Sequence, residues 1–439
     1  MTAKDLSVNV ILRLRGHGYQ ALLVGGCVRD LLLNRQPKDY DVATDAHPEQ
    51  IVAMFARAGM VGAQFGVVLV REGDAVVEVA TFRSDLAYVD GRRPEGVRFE
   101  SGPRADALRR DFTINGLFLD PISGEQFDYV GGTDDLRDGI VRAIGDPLLR
   151  FQEDHLRLIR AVRFAARLRF TIDPATFEAL RQLAPAIRRV APERVRDELL
   201  RILMEGGAKY GFELLDSSGL LREILPEVSA MKGVEQPPEF HPEGDVWTHT
   251  LMMLDGLEAP SPALAMGVLL HDVGKPPTFR VADRIRFDGH VELGVRMARE
   301  ILMRLRFSNE DTLQALALVE NHMKFKDAGR MRESTLKRFL RMPRFDEHLA
   351  LHRLDCLNSN GKLESWELLH RKFADTPEEQ LKPPPLLNGD DLISADFPPG
   401  PRFKEVLSVI EDAQLEGRIT TRAEALALAR DAWKTLSLE

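Results

Sequence analysis

Two aspartates, Asp39 and Asp41, have the type and spacing expected of metal-ion chemistry. They lie in the run KDYDV, which we predict to be a strand. Side chains at positions i and i+2 of a strand point to the same face, so both carboxylates can share divalent cations. Oxygen-only ligation suits Mg²⁺, and two such ions can promote nucleotidyl transfer. Glu78, in the later run VVEVATF, is the candidate third carboxylate. An isolated pair of this kind is also compatible with a solvated strand end.

A pair of glycines, Gly25 and Gly26, precedes these aspartates. It follows the β-rich run ALLV and opens a short predicted helix, CVRDLLL. Glycines allow close approach of a ligand to the backbone, and the positive end of the helix favours an anion. We therefore predict a phosphate cradle here, with Arg29 holding a triphosphate and Lys38 as a further nucleotide-binding residue.

A third motif, EDHLR, begins at Glu153. We expect Glu153, Asp154 and Arg157 to lie within one helical turn and to face one cavity. Aspartate accepts from an exocyclic amine and arginine donates to ring acceptors, so the pair can read the edge of a base. A surface ion pair is the alternative.

Histidines and carboxylates recur in the C-terminal half of the chain. Imidazole favours transition metals over Mg²⁺, which makes this a candidate site for a different ion. The set consists of His249, His271, Asp272, His290, His322 and Asp355.

Together with the run RRDFTINGL, the first three motifs resemble those of the nucleotidyltransferase superfamily that shares the DNA polymerase β type head. More narrowly, the chain resembles the bacterial class II tRNA nucleotidyltransferase and poly(A) polymerase family, although Gly116 replaces the family's usual alanine. The resemblance implies that Asp154 and Arg157 select the base and that Glu153 orients Arg157. The nucleotide-binding residues that it implies are Arg109, Arg110, Asp111, Asn115, Glu153, Asp154, Arg157, Arg160 and Arg163.

The H…HD…D order of the histidine set resembles the HD phosphohydrolase superfamily. The resemblance implies one metal held by His249, His271, Asp272 and Asp355, and a second held by His290 and His322. Ni²⁺, Mn²⁺ or Co²⁺ would suit these ligands. The resemblance to the HD superfamily further implies 2′,3′-cyclic phosphodiesterase, 2′-nucleotidase or phosphatase activity. A degenerate HD fold kept as an RNA-binding body is the alternative.

The elements that must position these residues change along the chain. Short β-rich runs alternate with helical stretches in the first part, and amphipathic helical patterns dominate afterwards. With the resemblance, this predicts an α+β chain with a polymerase-β-like head of mixed sheet plus helices, followed by a mainly α-helical neck, HD domain and tail. We place the head at residues 1–146, the neck at 147–235, the HD domain at 236–381 and the tail at 382–439.

Charge is unevenly distributed over the 439 residues, whose formal net charge is -9. Residues 150–201 carry twelve basic residues, all arginine, and seven acidic ones. Arg157, Arg160, Arg163 and Arg167 share one helical face, which we predict to hold the incoming RNA end rather than to be merely solvated. We also expect Arg194 and Glu198 to form a bracing pair.

The function expected is completion or repair of the 3′-terminal CCA of tRNA from CTP and ATP. The open alternatives are a CC-adding or A-adding partial enzyme, a poly(A) polymerase, and an HD phosphodiesterase whose head only binds. We expect a cytoplasmic protein whose partners are the tRNA 3′ end, CTP and ATP, with no membrane and no obligate protein partner. Arg83, Asp85 and Arg93 lie in a loop that resembles the family's CTP-to-ATP switching loop.

Overall fold

The computed structural model describes residues 1–61, 66–85 and 96–436. Arg93 therefore lies outside the described residues. The chain forms two compact units. Unit 1 comprises residues 1–230 with the short segments 257–260 and 301–307, and unit 2 comprises residues 231–256, 261–300 and 308–439.

Unit 1 begins with a mixed sheet flanked by helices. Its strands are β1 (Ala21–Val24), β2 (Asp41–Thr44), β3 (Ala58–Met60), β4 (Val67–Glu72), β5 (Ala75–Thr81), β6 (Arg83–Asp85), β7 (Val97–Phe99), β8 (Leu117–Leu119) and β9 (Gln126–Asp128). Its helices are α1 (Ala3–Gly16), α2 (Gly26–Leu32), α3 (Pro48–Met54), α4 (Pro103–Leu108) and α5 (Gly132–Asp138).

Seven of these strands form one sheet in the order β3-β4-β5-β2-β1-β8-β9. β2 and β5 run parallel, whereas the other neighbouring pairs are antiparallel. The buried side chains of Leu22, Val24, Ala43, Phe82 and Phe118 form a core on this sheet. The predicted fold class, a mixed-sheet head followed by helices, is confirmed.

The strand around the paired aspartates is shorter than predicted. β2 begins at Asp41, and Asp39 lies in a bend before it. The expectation that both aspartates belong to one strand was therefore wrong. Pro37 lies just before this bend, and proline cannot donate a ladder hydrogen bond.

Helices dominate the rest of unit 1. They are α6 (Pro147–Glu153), α7 (Leu156–Leu168), α8 (Pro174–Leu183), α9 (Pro192–Met204), α10 (Ala208–Ser217), α11 (Leu220–Ile224) and α12 (Pro226–Ser229), and two short strands, β10 (Ile140–Val141) and β11 (Thr171–Ile172), pair in parallel.

The EDHLR motif does not lie within one helix. α6 ends at Glu153, and Asp154 adopts an extended conformation with φ -144°. The Asp154 carboxylate accepts from the backbone N–H of Leu156, two residues on, at 3.1 Å, the local bond of an Asx turn. The single-turn expectation was therefore wrong, because Asp154 separates two helices.

Unit 2 is almost entirely helical. Its elements are α13 (Val246–Asp255), α14 (Pro262–Leu270), α15 (Lys275–Thr278), the hairpin β12 (Arg280–Val281) and β13 (Ile285–Arg286), α16 (His290–Arg304), which continues into unit 1, α17 (Asn309–Asn321), α18 (Glu333–Leu340), α19 (Phe345–Leu357), α20 (Glu364–Asp375), α21 (Glu378–Leu381), α22 (Gly389–Ser394), α23 (Arg402–Leu415) and α24 (Arg422–Leu436).

Two apolar clusters stabilise the later part of unit 2. Phe325, Phe339 and Phe345 pack together around α18 and α19, whereas Leu392 and Ile410 belong to a separate core formed by the last three helices. None of the helices in the described part of the chain combines the length and apolar character needed to cross a bilayer.

Candidate active sites

The glycine turn and the aspartate-bearing strand meet at one edge of the sheet. β1 and β2 are antiparallel, with Leu23 opposite Val42, so the end of β1 adjoins the start of β2. Gly25 has φ +77°, a conformation that favours glycine. A Cβ atom there would lie 3.0 Å from Arg110 Nη1, so the turn also needs glycine for space.

Two carboxylates are paired across neighbouring strands at this edge. Asp41 on β2 lies opposite Glu78 on β5 in the parallel register. Burial, together with the charges of Glu78 and Asp39, raises the pKa of Asp41 to about 6, although Arg110 opposes the shift. Carboxylates that repel one another in this way form a favourable place for a cation. Asp39, Glu78 and Lys38 are exposed.

Arg110 is anchored by a carboxylate that the sequence analysis did not single out. Asp106 in α4 is buried and accepts from Arg110 Nη2 at 2.8 Å and from Arg109 Nη2 at 2.6 Å. These arginines hold the pKa of Asp106 below its usual range. The i, i+3 and i, i+4 spacing was the available signal.

Arg29 is buried and makes contacts inside the protein. Its side chain is 2% exposed and donates to Asp30 at 2.7 Å and to Asn115 Oδ1 at 2.6 Å. These hydrogen bonds hold the helix after the glycine turn to the RRDFTINGL segment, and contact of Arg29 with a triphosphate stays a prediction.

Asp111 and Asn115 are likewise used inside the protein. Asn115 Nδ2 donates to Asp111 at 3.0 Å, and Arg160 Nη2 donates to the other Asp111 oxygen at 2.5 Å. Arg160 and these hydrogen bonds hold the pKa of Asp111 well below its usual range against the opposing effect of burial. Direct nucleotide contact by Asp111 and Asn115 remains a prediction.

The arginine face of α7 is paired with carboxylates. Arg163 is buried and its Nε lies 2.5 Å from Glu198 Oε2 in an ion pair, while Arg160 binds Asp111. Arg167 donates to Asp30 at 3.0 Å. Carboxylates from other segments of unit 1 therefore neutralise this face, and its contact with an RNA end stays a prediction.

Phe164 lies among these charges and was missed by the sequence analysis. The guanidinium carbons of Arg29, Arg160 and Arg163 lie 5.1, 5.2 and 4.1 Å from its ring centroid. Such contacts orient cations that are removed from water. A lone phenylalanine in an apolar stripe gave no sequence signal for this role. Glu205, 3.7 Å from Arg167, closes the network and was also missed.

The expected base readers lie at the junction of α6 and α7. Arg157 donates to Glu153 Oε2 at 2.5 Å and to the Arg109 carbonyl at 3.2 Å. Asp154 pairs with Arg194 at 3.2 Å. Arg194 therefore does not pair with Glu198, and that expectation was wrong. Asp154 keeps 18% of its side chain exposed.

The histidine set converges in unit 2. His249, His271 and Asp355 offer ligand atoms within 4.8 Å of one another, and Asp272, His290 and His322 form a second such group. Asp272 also lies 3.1 Å from His271 Nε2 and thus adjoins both groups.

The ring orientations fit metal binding. The Nδ1 atoms of His271, His290 and His322 donate to backbone carbonyls at 2.7–2.8 Å, which leaves each Nε2 with its lone pair. Within the described part of the chain, these Nε2 atoms and that of His249 are buried and none makes a hydrogen bond of good geometry, although carboxylate oxygens lie 3.1 Å from that of His271 and 3.3 Å from that of His249. Burial lowers the pKa of His322 to about 3, so its ring is neutral as a ligand must be.

Two residues next to this set were missed. Glu243 lies 2.7 Å from Nδ1 of His249 and 2.8 Å from Nδ1 of His241. A carboxylate behind a ligating histidine fixes the ring. The signal was the HPE sequence before the predicted ligand His249.

The predicted switching loop was represented by three named residues, of which Arg83 and Asp85 are described. They lie on β6, 3.3 Å apart. A regulatory role for them stays a prediction.

Three family models match successive segments of the chain. Residues 21–142 match the poly A polymerase head domain, residues 169–232 match the probable RNA and SrmB-binding site of polymerase A, and residues 245–357 match the HD domain.

The curated proteins with similar sequences carry two different names. Poly(A) polymerase I of Haemophilus influenzae is 39% identical over 236 residues, which are 51% of this chain and 52% of that protein. The CCA-adding enzyme of Bacillus licheniformis is 40% identical over 215 residues, which are 49% of this chain and 54% of that protein. The chain thus spans about half the length of the curated relatives it matches.

A solved structure extends the likeness over the whole length. The CCA-adding enzyme of Bacillus stearothermophilus, in complex with CTP, has a TM-score of 0.77 and is 26% identical. The match covers 100% of this chain and 99% of that one.

Proposed function

We propose that this chain, which belongs to the family of poly(A) polymerases and CCA-adding enzymes that carry an HD domain, adds CTP- and ATP-derived nucleotides to the tRNA 3′ end. The observation that supports this most is the meeting of Gly25, Arg110 and Asp41 at one edge of the sheet. A cytoplasmic location is part of the proposal.

Asp39, Asp41 and Glu78 are the acids available to a cation at that edge. Mg²⁺ bound there would supply positive charge to the triphosphate and to the attacking 3′ oxygen. Arg110, held by Asp106, presents a guanidinium beside the glycine turn and neutralises phosphate oxygens. The backbone at Gly25 leaves the space that such a ligand needs.

Selection of the base is assigned to Asp154 and Arg157. Glu153 fixes Arg157, and Arg194 fixes Asp154, so both groups are held before a nucleotide arrives. Preorganised donors and acceptors discriminate between bases because a mismatched base leaves a buried polar group unpaired.

Extension of three tRNA substrates tests the proposal. Transcripts that end before CCA, after C, and after CC are each incubated with Mg²⁺ and with CTP, ATP or both, and the products are read at single-nucleotide resolution. We expect two C additions and then one A. Addition of only C or only A would indicate a partial enzyme, and long A tails on unstructured RNA would indicate a poly(A) polymerase.

Two variants connect the activity to the sheet edge. Asp39→Ala/Asp41→Ala should abolish addition, because no cation is then held there. Glu72→Gln, at the exposed end of β4, is the matched control and should retain it. Normal addition by the double variant would contradict the assignment.

For unit 2 we propose a separate phosphohydrolase site. His249, His271 and Asp355, together with Asp272, His290 and His322, would hold transition-metal ions, which when bound activate water towards a phosphoester. The four buried Nε2 atoms support this. We expect His271→Ala to lose 2′,3′-cyclic phosphodiesterase activity but to keep nucleotide addition, and the Asp39→Ala/Asp41→Ala variant to show the reverse.

A further inference from the structure

Arg150 in α6 uses all three nitrogens of its guanidinium group inside unit 1. Its Nε donates to the Ile144 carbonyl at 3.0 Å, and its Nη2 donates to the Leu108 carbonyl at 2.9 Å. Its Nη1 donates to the Arg109 carbonyl at 3.2 Å and to Glu153 Oε2 at 2.9 Å. Arginine presents its N–H donors in a fixed fork. One side chain therefore joins three backbone carbonyls and one carboxylate.

Two of these carbonyls belong to the end of α4. The last carbonyls of a helix have no partner within the helix, and cationic side chains suit them. Arg150 donates to the Leu108 carbonyl, and the Arg109 carbonyl accepts from both Arg150 and Arg157. Two arginines therefore hold the end of α4 against α6 and α7.

The same stretch of chain carries the arginine assigned to the triphosphate. Arg110 follows Arg109 directly, lies beside Gly25 and is held by Asp106 in α4. Because Arg109 and Arg110 are consecutive, contacts that fix the Arg109 carbonyl also fix the backbone from which Arg110 extends. The residues assigned to the base and to the triphosphate thus share one anchored segment of backbone.

Glu153 is a second point of contact between Arg150 and the predicted base readers. Its Oε2 atom accepts from Nη1 of Arg150 at 2.9 Å and from Nη1 of Arg157 at 2.5 Å. Charge-assisted bonds of this kind are strong and directional. Arg157 also donates to the Arg150 carbonyl at 3.0 Å. Arg150 therefore orients Arg157 through its own backbone and through a shared carboxylate.

An ordinary ion pair between residues i and i+3 is the alternative interpretation of Arg150 and Glu153. Glu178 and Arg181 form such a pair on α8, where both are more than half exposed. Exposed pairs contribute little to stability. Arg150 differs because 14% of its side chain is exposed and because carbonyls 41 and 42 positions earlier in the chain accept from it.

We propose that Arg150 is a positioning residue for base selection, which fixes Arg157 relative to Arg110 and so couples recognition of the base to placement of the triphosphate. The inference rests on the nucleotide addition proposed above. Cytosine and adenine each present an amine beside a ring acceptor, whereas uracil and guanine present a carbonyl beside a ring N–H. A guanidinium that donates in one fixed direction rejects the second arrangement, because a donor would then face a donor.

Competition between nucleotides tests the inference. The full chain extends tRNA that ends before CCA with CTP or UTP, and tRNA that ends after CC with ATP or GTP, and kcat/KM is measured for each. We expect Arg150→Met to lower the CTP-over-UTP and ATP-over-GTP ratios at least about tenfold, because Arg157 loses its fixed orientation. Arg181→Met, which removes the surface pair on α8, is the matched control and should keep the ratios of the parent chain.

Arg150→Lys provides a variant that keeps the positive charge if Arg150→Met does not fold. It should also lower both ratios, because one ammonium group cannot replace a fork that serves carbonyls of separate segments. A merely structural role would instead lower kcat/KM for all four nucleotides by the same factor. Isothermal titration calorimetry with CTP and UTP, in the absence of tRNA, provides a readout without turnover. The difference between the two affinities should shrink in the Arg150 variants.

The outcomes separate this inference from the function on which it rests. Ratios equal to those of the parent chain in the Arg150 variants would overturn the positioning role, and so would an equal loss with all four nucleotides. In both cases nucleotide addition by the parent chain would stand. Failure of the parent chain to extend either tRNA would overturn both, because no base would then be selected.

Discussion

At the scale of single residues, the turn at Gly25 combines two separate constraints. Its φ of +77° disfavours any side chain, and its missing Cβ makes room for Arg110 Nη1 at 3.0 Å. Gly26 is different, because a Cβ atom there would lie 3.7 Å from the nearest atom, an ordinary contact distance. The conformational constraint is therefore specific to the first glycine of the pair.

Gly25→Ala should be destabilised by about 1–3 kcal/mol, the usual cost of holding a residue with a side chain in a sparsely populated region of positive φ. It should also lower nucleotide addition at least tenfold, because the new methyl group displaces Arg110. Chemical denaturation and the tRNA extension assay measure these effects. Gly16→Ala is the control, since its Cβ would meet nothing within 4 Å. Equal activity in the two variants would contradict a role for this turn.

Glu243 is a second residue with a specific role, because its side chain contacts the predicted metal ligand His249. Its Oε1 lies 2.7 Å from Nδ1 of His249, which also hydrogen-bonds the Asn358 carbonyl at 3.1 Å, and Nε2 of that ring lies 3.3 Å from Asp355. We expect Glu243→Gln to bind a divalent ion such as Mn²⁺ roughly 10–100-fold more weakly, the usual effect of removing a carboxylate behind a ligand. Isothermal titration calorimetry measures it. Glu239→Gln, an exposed acid in the same segment, should bind as the parent does.

At the scale of elements, α7 is a helix rich in arginine whose charged side chains are paired within the protein. Arg160, Arg163 and Arg167 each meet a carboxylate from another part of unit 1. Because Phe164 also contacts the first two, cations and the aromatic ring form one layer. The layer connects α2, the helix after the glycine turn, to α7 and to α9, which carries Glu198.

Removal of one charged partner from this layer should lower the free energy of unfolding. Arg163→Met removes the nearer partner of buried Glu198 and leaves it only Arg160 at 3.9 Å, so we expect a loss of about 3 kcal/mol in the free energy of unfolding. The double variant Arg163→Met/Glu198→Met should recover much of that loss, since no charge is then left unpaired. Urea denaturation of the two single variants and the double variant measures the coupling.

An exposed pair serves as the comparison. Arg181 and Glu178 are 58% and 56% exposed and lie 3.5 Å apart, so Arg181→Met should cost less than about 1 kcal/mol. If the variants at Arg163 and Arg181 lost similar stability, the buried network would have no special role in unit 1.

At the scale of the whole molecule, the formal net charge of -9 describes RNA binding poorly. The arginines that line α7 are paired with carboxylates of unit 1. Charge that is buried in pairs affects the pH dependence of folding more than the attraction of RNA.

Acid should destabilise unit 1. Asp106 and Asp111 have pKa values below the usual 3.8 in the folded chain, so the unfolded chain binds protons more readily than the folded one. Their contribution is complete above about pH 5, where the unfolded chain is also ionised, and it is lost progressively as the pH falls through 3.8 towards their folded pKa values. Thermal melts between pH 6 and pH 3 should show this loss. Asp111→Asn should weaken the dependence, and an unchanged slope in that variant would contradict the assignment.

The sequence by itself determined the local chemistry and the fold class. Gly25, the acidic pair and the histidine order are short motifs, and the alternation of strands followed by long amphipathic helices is a local pattern. Such strand and helix patterns depend on neighbours within a few residues, so one sequence is enough to predict a mixed-sheet head and a helical remainder, whereas the convergence of the histidines was implied by the resemblance to the HD superfamily.

Only the tertiary structure decided how charged groups are used. Arg29 binds Asn115, 86 positions further along the chain, and Arg167 binds Asp30, 137 positions earlier. Helical periodicity shows which side chains share a face but not what that face meets, because the partners come from elements distant in sequence. The same residues could therefore be predicted as RNA ligands and yet be found holding the head and the following helices of unit 1 together.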